Sequence, residues 1–307
     1  MRLTIWICSL WATGASLVAQ SPYVRDGSIG KAKEEAPVNN NWPRYKYLPI
    51  SEWRGKRVIF LPEPGSLRKY GYQSFTGGSG QFGNPTYEEA AGKIGTIVAM
   101  EPGQFPKVTV EMEESKRRYV GTVYTETPTG IAFLDEIDQA RKDLIGKTFW
   151  ILSSELVTYD EASEKYGSVK VKKFSPVTVV DVVVGWRNEE PIRLILKSES
   201  GDEGYLDVNI SGTNGSKMLV GFGHIDKHLS RVDPKKAYPW PKPIWDTIQD
   251  EKVALGMTKE QVKMSWGEPK SIAQTVTAAG KSEQWVFGSG AYVYFTGGVV
   301  SGIQNEK

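Results

Sequence analysis

The sequence predicts a mainly β protein that ends in a small α+β module, and three observations support this fold class. The 307 residues include 32 glycines, and 11% of them are aromatic, a composition typical of β-rich exported proteins. Short β-branched and aromatic runs alternate with turn residues over most of the length. No long amphipathic helical pattern appears before residue 130, and a capped helix followed by further strands lies near the C-terminus.

Residues 1–19 have the pattern of a secretory signal peptide. Arg2 gives a positive start, an apolar stretch follows, and Leu17-Val18-Ala19 fits a cleavage site. The stretch is too short for a membrane anchor, so we expect an exported bacterial protein in the periplasm or outside the cell. Cys8, the single cysteine, lies inside this segment, so the mature chain should have no disulfide. Residues 20–49 are polar and irregular, and we expect a mobile leader.

Two stretches of the chain contain similar runs of strand residues in the same order. The first run of each contains a Gly-Lys pair, at Gly55 and at Gly146, which gives an offset of 91 residues. For the hairpin that follows, the sequence predicts an offset of 85. Two copies of a five-stranded β unit would explain this order. The matched runs are 53–61 with 144–152, 94–100 with 177–184, 106–111 with 191–196, and 118–121 with 203–208.

The order of a Gly-Lys strand, a long loop and a hairpin with a short polar turn resembles bacterial SH3-like barrels. This resemblance covers 50–124 and 139–210 and implies two small barrels in tandem; two unrelated meanders are the alternative. Residues 131–141 are expected to form a short helix or turn between them. Residues 222–243 are rich in proline and aromatic residues, so we expect a stiff extended connector.

The C-terminal residues predict a capped helix followed by a strand meander. Thr258 and Gln261 have the spacing of a capping box. Val262 and Trp266 share one face of the helix, which we expect to pack on a sheet through Val262 and Trp266. Gly267 provides a left-handed exit. The strands expected to face this helix contain Trp285, Val293 and Phe295.

This pattern resembles the SmpA/OmlA (BamE-like) family of bacterial envelope domains. The resemblance rests on the Gly-Met-Thr start at 256–258, the Gly-x-Pro stop at 267–269, the strand of Trp285 and the aromatic strand at 292–295. It implies a helix-helix-meander module over 244–307. The best-known members are lipoproteins of outer-membrane β-barrel assembly, whereas this chain lacks a lipid-attachment cysteine at the expected mature N-terminus.

Several function classes are disfavoured by composition and motifs. The 38 basic and 36 acidic residues are nearly balanced, which argues against a nucleic-acid partner. No second apolar run is long enough to span a membrane, and the phosphate-loop and nucleophile-elbow motifs are missing. The only histidines, His224 and His228, have an H-x-x-x-H spacing, but a surface or packing pair is favoured over a metal site. No cofactor is expected.

We therefore expect an exported, non-enzymatic envelope protein that acts as a binding or scaffold module, with no catalytic residues. Its partner would be an envelope protein or a cell-wall glycan or peptide. Candidate surface contacts are Trp186 in a hairpin turn, Trp240 in the proline-rich connector and Tyr119 on a strand; packing between domains is the alternative role for the two tryptophans. The alternative function is an exported carbohydrate-active enzyme, or its accessory module, that uses strand carboxylates. Those carboxylates are Glu101, Glu111, Glu113, Glu114, Glu203 and Asp207.

Overall fold

A computed structural model describes residues 42–43, 45–77, 83–124, 128–215, 223–278 and 280–305. These residues fall into two compact units, 42–241 and 242–305. Strands make up 40% of the structure and helices 19%, which confirms the mainly β class. The predicted signal peptide and most of the predicted leader lie outside the described residues. Among the described residues, no helix has the length and apolar character needed to cross a membrane.

Six antiparallel strands form the first sheet of the larger unit. They are β1 (Arg57–Phe60), β2 (Phe75–Gly77), β3 (Ile94–Glu101), β4 (Lys107–Met112), β5 (Arg118–Thr122) and β6 (Ile131–Phe133). The strand order across the sheet is β2-β5-β4-β3-β1-β6. Two one-turn helices lie in the connections, α1 (Gly65–Arg68) and α2 (Tyr87–Ala90). The core of this sheet includes the fully buried side chains of Trp53, Phe60 and Phe75.

The second sheet follows an amphipathic helix, α3 (Leu134–Leu144), which buries Ile137, Ala140 and Leu144. Together, β6 and α3 account for the short helix or turn expected at 131–141. The strands of the second sheet are β7 (Thr148–Ile151), β8 (Glu155–Asp160), β9 (Lys165–Lys170), β10 (Pro176–Val184), β11 (Ile192–Ser198), β12 (Glu203–Val208) and β13 (Leu229–Ser230). Their order across the sheet is β13-β7-β10-β11-β12-β8-β9.

The two sheets have the same strand order. From β8 to β13 the second sheet runs β8-β12-β11-β10-β7-β13, which matches β2-β5-β4-β3-β1-β6 strand for strand. The N–H of Gly55 donates to Ile97 O at 2.7 Å, and the N–H of Gly146 donates to Val179 O at 2.8 Å. A β-bulge follows immediately after both acceptor residues. The repeated order is therefore confirmed and extends to a sixth strand, although neither sheet closes into a barrel within the described residues.

The alignment of the two hairpins differs by one residue from the one that the sequence predicted. Val110 lies opposite Ile97, and Leu196 lies opposite the equivalent Val179, so the true offset is 86. An offset of 85 would match buried Val110 to the half-buried Ile195 on the other face, since a one-residue slip exchanges the two faces of a strand. The sequence alignment was wrong here because it was anchored on two prolines that lie outside the strands.

The described end of the predicted leader packs on the larger unit. The Trp42 ring stacks on Phe149 with centroids 5.1 Å apart, and its Nε1 donates to Leu229 O at 3.2 Å. The N–H of Leu48 donates to Thr213 Oγ1 at 3.0 Å. The described part of 42–49 is thus a strap across the second sheet, and the term mobile leader does not fit it.

The predicted connector is only partly extended. Within it, α4 (Pro234–Ala237) forms one helical turn, with Pro234 at its first position and the Asp233 carboxylate accepting from Lys235 N at 2.9 Å. Asp233-Pro234 is a strong helix start, because aspartate accepts from the free N–H groups and proline has none to leave unpaired. This local signal outweighs the extended preference that the prolines suggested.

The C-terminal unit consists of two helices and a four-stranded antiparallel meander. The elements are α5 (Lys242–Gln249), α6 (Lys259–Trp266), β14 (Ser271–Thr277), β15 (Gly280–Val286), β16 (Ala291–Thr296) and β17 (Val299–Asn305), and the strands are in sequence order across the sheet. The capping box at Thr258 and Gln261 is present as predicted. Val262 and Trp285 are buried, and Lys259 Nζ of α6 donates to Glu283 Oε1 of β15 at 2.8 Å, so the predicted packing of α6 on this sheet is confirmed.

Trp266 is less buried than the sequence predicted. Its ring lies edge-on to Phe287 with centroids 5.3 Å apart, and its Nε1 donates to Glu251 O at 2.8 Å. The residue is only half-buried, because it occupies the last turn of α6, where the helix reaches the margin of the sheet. Trp266 therefore contributes a contact at the edge of the core.

Candidate functional site

Three aromatic rings cluster on the outer face of the second sheet. Trp186 lies in the connection between β10 and β11 and is half-buried. Tyr159 and Tyr166, from β8 and β9, lie with their centroids 4.4 and 5.9 Å from the Trp186 ring. Tyr166 is 59% exposed. Among the described residues, the first sheet has no strand that corresponds to β9.

A buried arginine, Arg193, packs against the aromatic cluster. The guanidinium carbon of Arg193 lies 4.2 Å from the Trp186 centroid and 3.7 Å from the Tyr205 centroid, within the range of cation–π attraction. Its Nε and Nη2 donate to the two carboxylate oxygens of Asp207 at 2.7 and 2.8 Å. Bidentate pairing fixes the plane of the guanidinium, and the fixed plane in turn orients the Trp186 indole.

Trp186 also forms one wall of a small cavity, which we call the Trp186 cleft. Its volume is about 190 Å³, comparable to one amino-acid side chain. The other walls come from the connection between β1 and β2 and from the residues just before β6, so segments of both sheets contribute. Asn188 ties them together, because its Oδ1 accepts from Gly130 N at 2.6 Å. The residues that matter most for recognition are Glu63, Tyr72, Phe75, Gly130, Trp186 and Asn188.

Glu63 is the ionisable group of the Trp186 cleft. Its Oε2 is buried, and no hydrogen-bond donor among the described residues reaches that atom. Burial raises the pKa of the Glu63 carboxyl above its ordinary value, because the charged form loses its hydration. Burial, and then the nearby Glu63 charge, also raise the pKa of Tyr72, whose hydroxyl donates to Leu61 O at 2.5 Å. Buried carboxylates normally have a partner, so a cationic group would be stabilised here.

A second and larger cavity of about 450 Å³ lies between α3 and the strap. The carboxylate of Asp135 pairs with Lys56 Nζ at 3.3 Å. Asp143 Oδ2 accepts from the Tyr45 hydroxyl at 3.1 Å and from Gln139 Nε2 at 2.8 Å. These two carboxylates therefore already have protein partners.

Glu136 is the most desolvated carboxyl of the larger cavity. Its Oε1 accepts from Ser211 N at 3.0 Å and from Ile210 N at 3.4 Å. Burial raises the pKa of Glu136, and these hydrogen bonds lower it by a smaller amount. The side chain joins α3 to the end of the second sheet, which is a structural role.

The three residues that the sequence predicted as surface contacts lie in different environments in the structure. Trp186 lines the Trp186 cleft. Trp240 is half-buried and stacks on Tyr238 with centroids 4.6 Å apart, and it lines neither of the two cavities. Tyr119 is only 4% exposed, because strand alternation turns it toward the core of the first sheet. Its assignment as a surface contact was wrong.

The strand carboxylates of the alternative enzyme hypothesis lie outside both of these cavities. Four of them form ion pairs with neighbouring basic side chains, and none of the six lines either of the two cavities. The four pairs are Glu111 with Arg118, Glu113 with Arg57, Glu203 with Lys197, and Asp207 with Arg193. The first three pairs are partly exposed, as is usual for charges on the solvent side of a sheet, whereas the Asp207 pair is buried.

The two histidines lie near Asp226. His224 Nδ1 is 2.9 Å from Asp226 Oδ1, and its Nε2 is 3.0 Å from Ile210 O. Burial lowers the pKa of His228. The described residues contain no group of three or more metal-ligating side chains.

In comparisons with known proteins, no family model, no curated protein and no solved structure matches this chain. The interpretation of the site therefore depends on its geometry. The sequence reasoning missed Glu63 and Arg193, and both had a recognisable signal. Glu63 stands between two prolines, and Arg193 is the single charge in the apolar run at 192–196.

Proposed function

We propose that this chain is an exported, non-enzymatic binding module of the bacterial cell envelope and that the Trp186 cleft is its ligand site. The signal-peptide pattern of residues 1–19 supports export. The observation that carries the binding role is the Trp186 cleft itself, where an aromatic wall lies beside Glu63, whose buried Oε2 accepts no hydrogen bond from the described residues. Ligand sites typically combine apolar or aromatic walls with convergent polar groups that fix the orientation of the ligand.

The two larger sheets fit a pair of SH3-like domains, and the C-terminal unit fits a BamE-like module. Each sheet has a Gly-Lys strand, a long loop, a β-hairpin and a last strand that returns beside the first, which supports the SH3-like assignment. The order of two helices and a meander, with the capping box at Thr258, supports the BamE-like assignment. The C-terminal unit would then act as the scaffold part of the protein.

The chemistry of the Trp186 cleft favours a cell-wall peptide that carries a protonated amine. Glu63 would give an ammonium group a carboxylate partner, and the ammonium would in turn offset the burial of Glu63. The face of Trp186 would hold the apolar stem of the same side chain and attract its charge. A cavity of about 190 Å³ accommodates one side chain of this size, whereas a glycan chain would need a longer groove.

Co-sedimentation with purified peptidoglycan sacculi tests this proposal. The wild-type mature chain should pellet with the sacculi, and Trp186→Ala should weaken the interaction roughly tenfold or more, as the loss of a central aromatic anchor does. Glu63→Gln should weaken it by a similar factor, because the amide keeps the shape of the side chain and removes its charge.

Two control variants locate the effect in the Trp186 cleft. Phe105→Ala removes an exposed ring from the corresponding hairpin of the first sheet, where its centroid lies 5.5 Å from that of Tyr124. Trp240→Ala removes the other candidate tryptophan. Both should bind as the wild type does. Equal binding by wild type and Trp186→Ala would contradict the proposal, and loss of binding in Trp240→Ala alone would move the site to the connector.

The larger cavity supports the alternative of a carbohydrate-active enzyme through one observation. The raised pKa of Glu136 would suit a general acid. Release of reducing ends from sacculi by the wild type, abolished in Glu136→Gln, would establish that activity and exclude a purely non-enzymatic role.

A further inference from the structure

The strand β14 is an unprotected edge of the C-terminal sheet. All seven of its residues are exposed, and among the described residues it pairs only with β15. Ile272 and Val276 are 47% and 78% exposed. Natural sheets usually protect such an edge with a charge, a proline or a bulge. The β14 sequence has no charge and no proline, and its register with β15 is unbroken.

Alternate residues of β14 direct their backbone groups toward the open edge. The register pairs Thr277 with Gly280 at the end of a two-residue hairpin connection, and the closing pair of such a hairpin exchanges both hydrogen bonds. Counting back by twos, 275 and 273 also bond to β15. The N–H and C=O groups of Ile272, Gln274 and Val276 therefore point away from the sheet.

The residue types of β14 are nearly symmetric about Gln274. Reversed and laid against itself, the run Ser-Ile-Ala-Gln-Thr-Val-Thr at 271–277 places Ile272 opposite Val276 and Gln274 opposite itself. Hydroxyl residues meet at the two ends. In this register, Ile272, Gln274 and Val276 of one copy lie opposite Val276, Gln274 and Ile272 of the other. These are the residues with outward-facing backbone groups, so each outward N–H lies opposite an outward C=O.

We propose that two copies of this chain associate through β14, in antiparallel register with a twofold axis at Gln274. The two four-stranded sheets would become one eight-stranded sheet. Ile272 of one copy would pack beside Val276 of the other, on the face that carries Trp285, since Trp285 is the cross-strand neighbour of Ile272. This pairing would cover both exposed apolar side chains.

A second copy fits this edge better than an unrelated strand. A twofold interface requires a surface that complements itself, and β14 satisfies that requirement in backbone groups, in apolar pairs and in its lack of charge. The contact involves seven residues from each copy, which is small for a stable dimer. We therefore expect a weak dimer that forms between micromolar and millimolar concentration.

Disulfide trapping tests the register directly. Residues that face each other in a hydrogen-bonded antiparallel pair have Cα atoms about 5.5 Å apart, which a disulfide can span. Gln274→Cys, in a chain that starts at Gln20 and so has no other cysteine, should form a covalent dimer under mild oxidation. Thr275→Cys should not form a covalent dimer. The twofold axis at residue 274 places residue 275 of one copy opposite residue 273 of the other, so the two thiols would be too far apart for a disulfide.

A matched control and a second measurement complete the test. Asn305→Cys places a thiol on the opposite edge strand, β17, where it is exposed, and it should form no covalent dimer under the same oxidation. Sedimentation of the wild type should show a mass that rises toward twice the monomer mass with concentration, and Gln274→Lys should weaken dimerisation about fivefold to tenfold, since like charges would face each other at the axis. A wild type that stays monomeric throughout, or equal trapping of Gln274→Cys and Asn305→Cys, would overturn the proposal.

Discussion

Replacing Arg193 by methionine tests whether a buried ion pair supports the Trp186 cleft. Arg193 is 7% exposed, and both of its hydrogen bonds to Asp207 are 2.8 Å or shorter. The variant would leave the Asp207 carboxylate, whose side chain is 10% exposed, buried without its cation. Breaking a buried pair in this way typically costs about 3–5 kcal/mol. Loss of the cation–π contacts with Trp186 and Tyr205 adds roughly 1 kcal/mol.

We therefore expect Arg193→Met to lower the free energy of unfolding of the larger unit by about 4–6 kcal/mol. The double variant Arg193→Met, Asp207→Leu should recover most of this loss, because replacing both charges with apolar side chains is often neutral. Urea unfolding of the wild type, both single variants and the double variant gives the coupling energy between the two residues. A single-variant cost below about 1 kcal/mol, or a double variant no better than Arg193→Met, would refute the reasoning.

Three further predictions follow from the repeat, the C-terminal unit and the N-terminus. Gly55→Ala and Gly146→Ala should each lower the free energy of unfolding by about 1–2 kcal/mol, because both glycines have positive φ, 83° and 76°. Each has open space where a Cβ would lie, so only the backbone conformation opposes the substitution. If equilibrium unfolding gave losses that differ by more than about 1 kcal/mol, the two positions would not be equivalent. Trp266→Ala should destabilise the C-terminal unit by roughly 2 kcal/mol in thermal melts, less than a fully buried tryptophan would, and an unchanged melt would show that its contact with Phe287 contributes nothing. Mass spectrometry of the native protein should find a mature chain that begins near Gln20 without a lipid, and an uncut or acylated chain would contradict export.

Local features of the fold were predictable because short-range chemistry determines them. The capping box depends on two residues three positions apart, and the sequence therefore located the start of α6 correctly. The repeated strand order was also visible, because Gly55 and Gly146 both open a strand after a left-handed turn. Depth of burial was less predictable: a shared helix face placed Trp266 toward the sheet but did not show that the helix ends at the sheet margin.

The candidate site was only partly predictable, because residues distant in the sequence form it. Trp186 was found from its place in a hairpin turn, whereas its partner Glu63 comes from a loop of the other copy. The assignment of Tyr119 failed because the sequence did not show which face of its strand points toward the core. Arg193 illustrates a missed signal, since a lone charge in an apolar strand indicates a buried pair.

Titration of the Trp186 cleft with a synthetic cell-wall stem peptide that ends in lysine tests the central claim most directly. By calorimetry, the peptide should bind the wild type, and acetylation of its lysine amine should weaken binding about tenfold or more, since the charge-assisted contact would be lost. Burial raises the pKa of Glu63 above its ordinary value of 4.5. The affinity for the peptide should therefore rise as the pH increases from 4.5 through this raised pKa, because Glu63 ionises over that range. The lysine amine stays protonated throughout and pairs with the ionised carboxylate. Glu63→Gln should abolish that pH dependence. Equal binding of the free and acetylated peptides, or a pH profile unchanged in Glu63→Gln, would contradict the account.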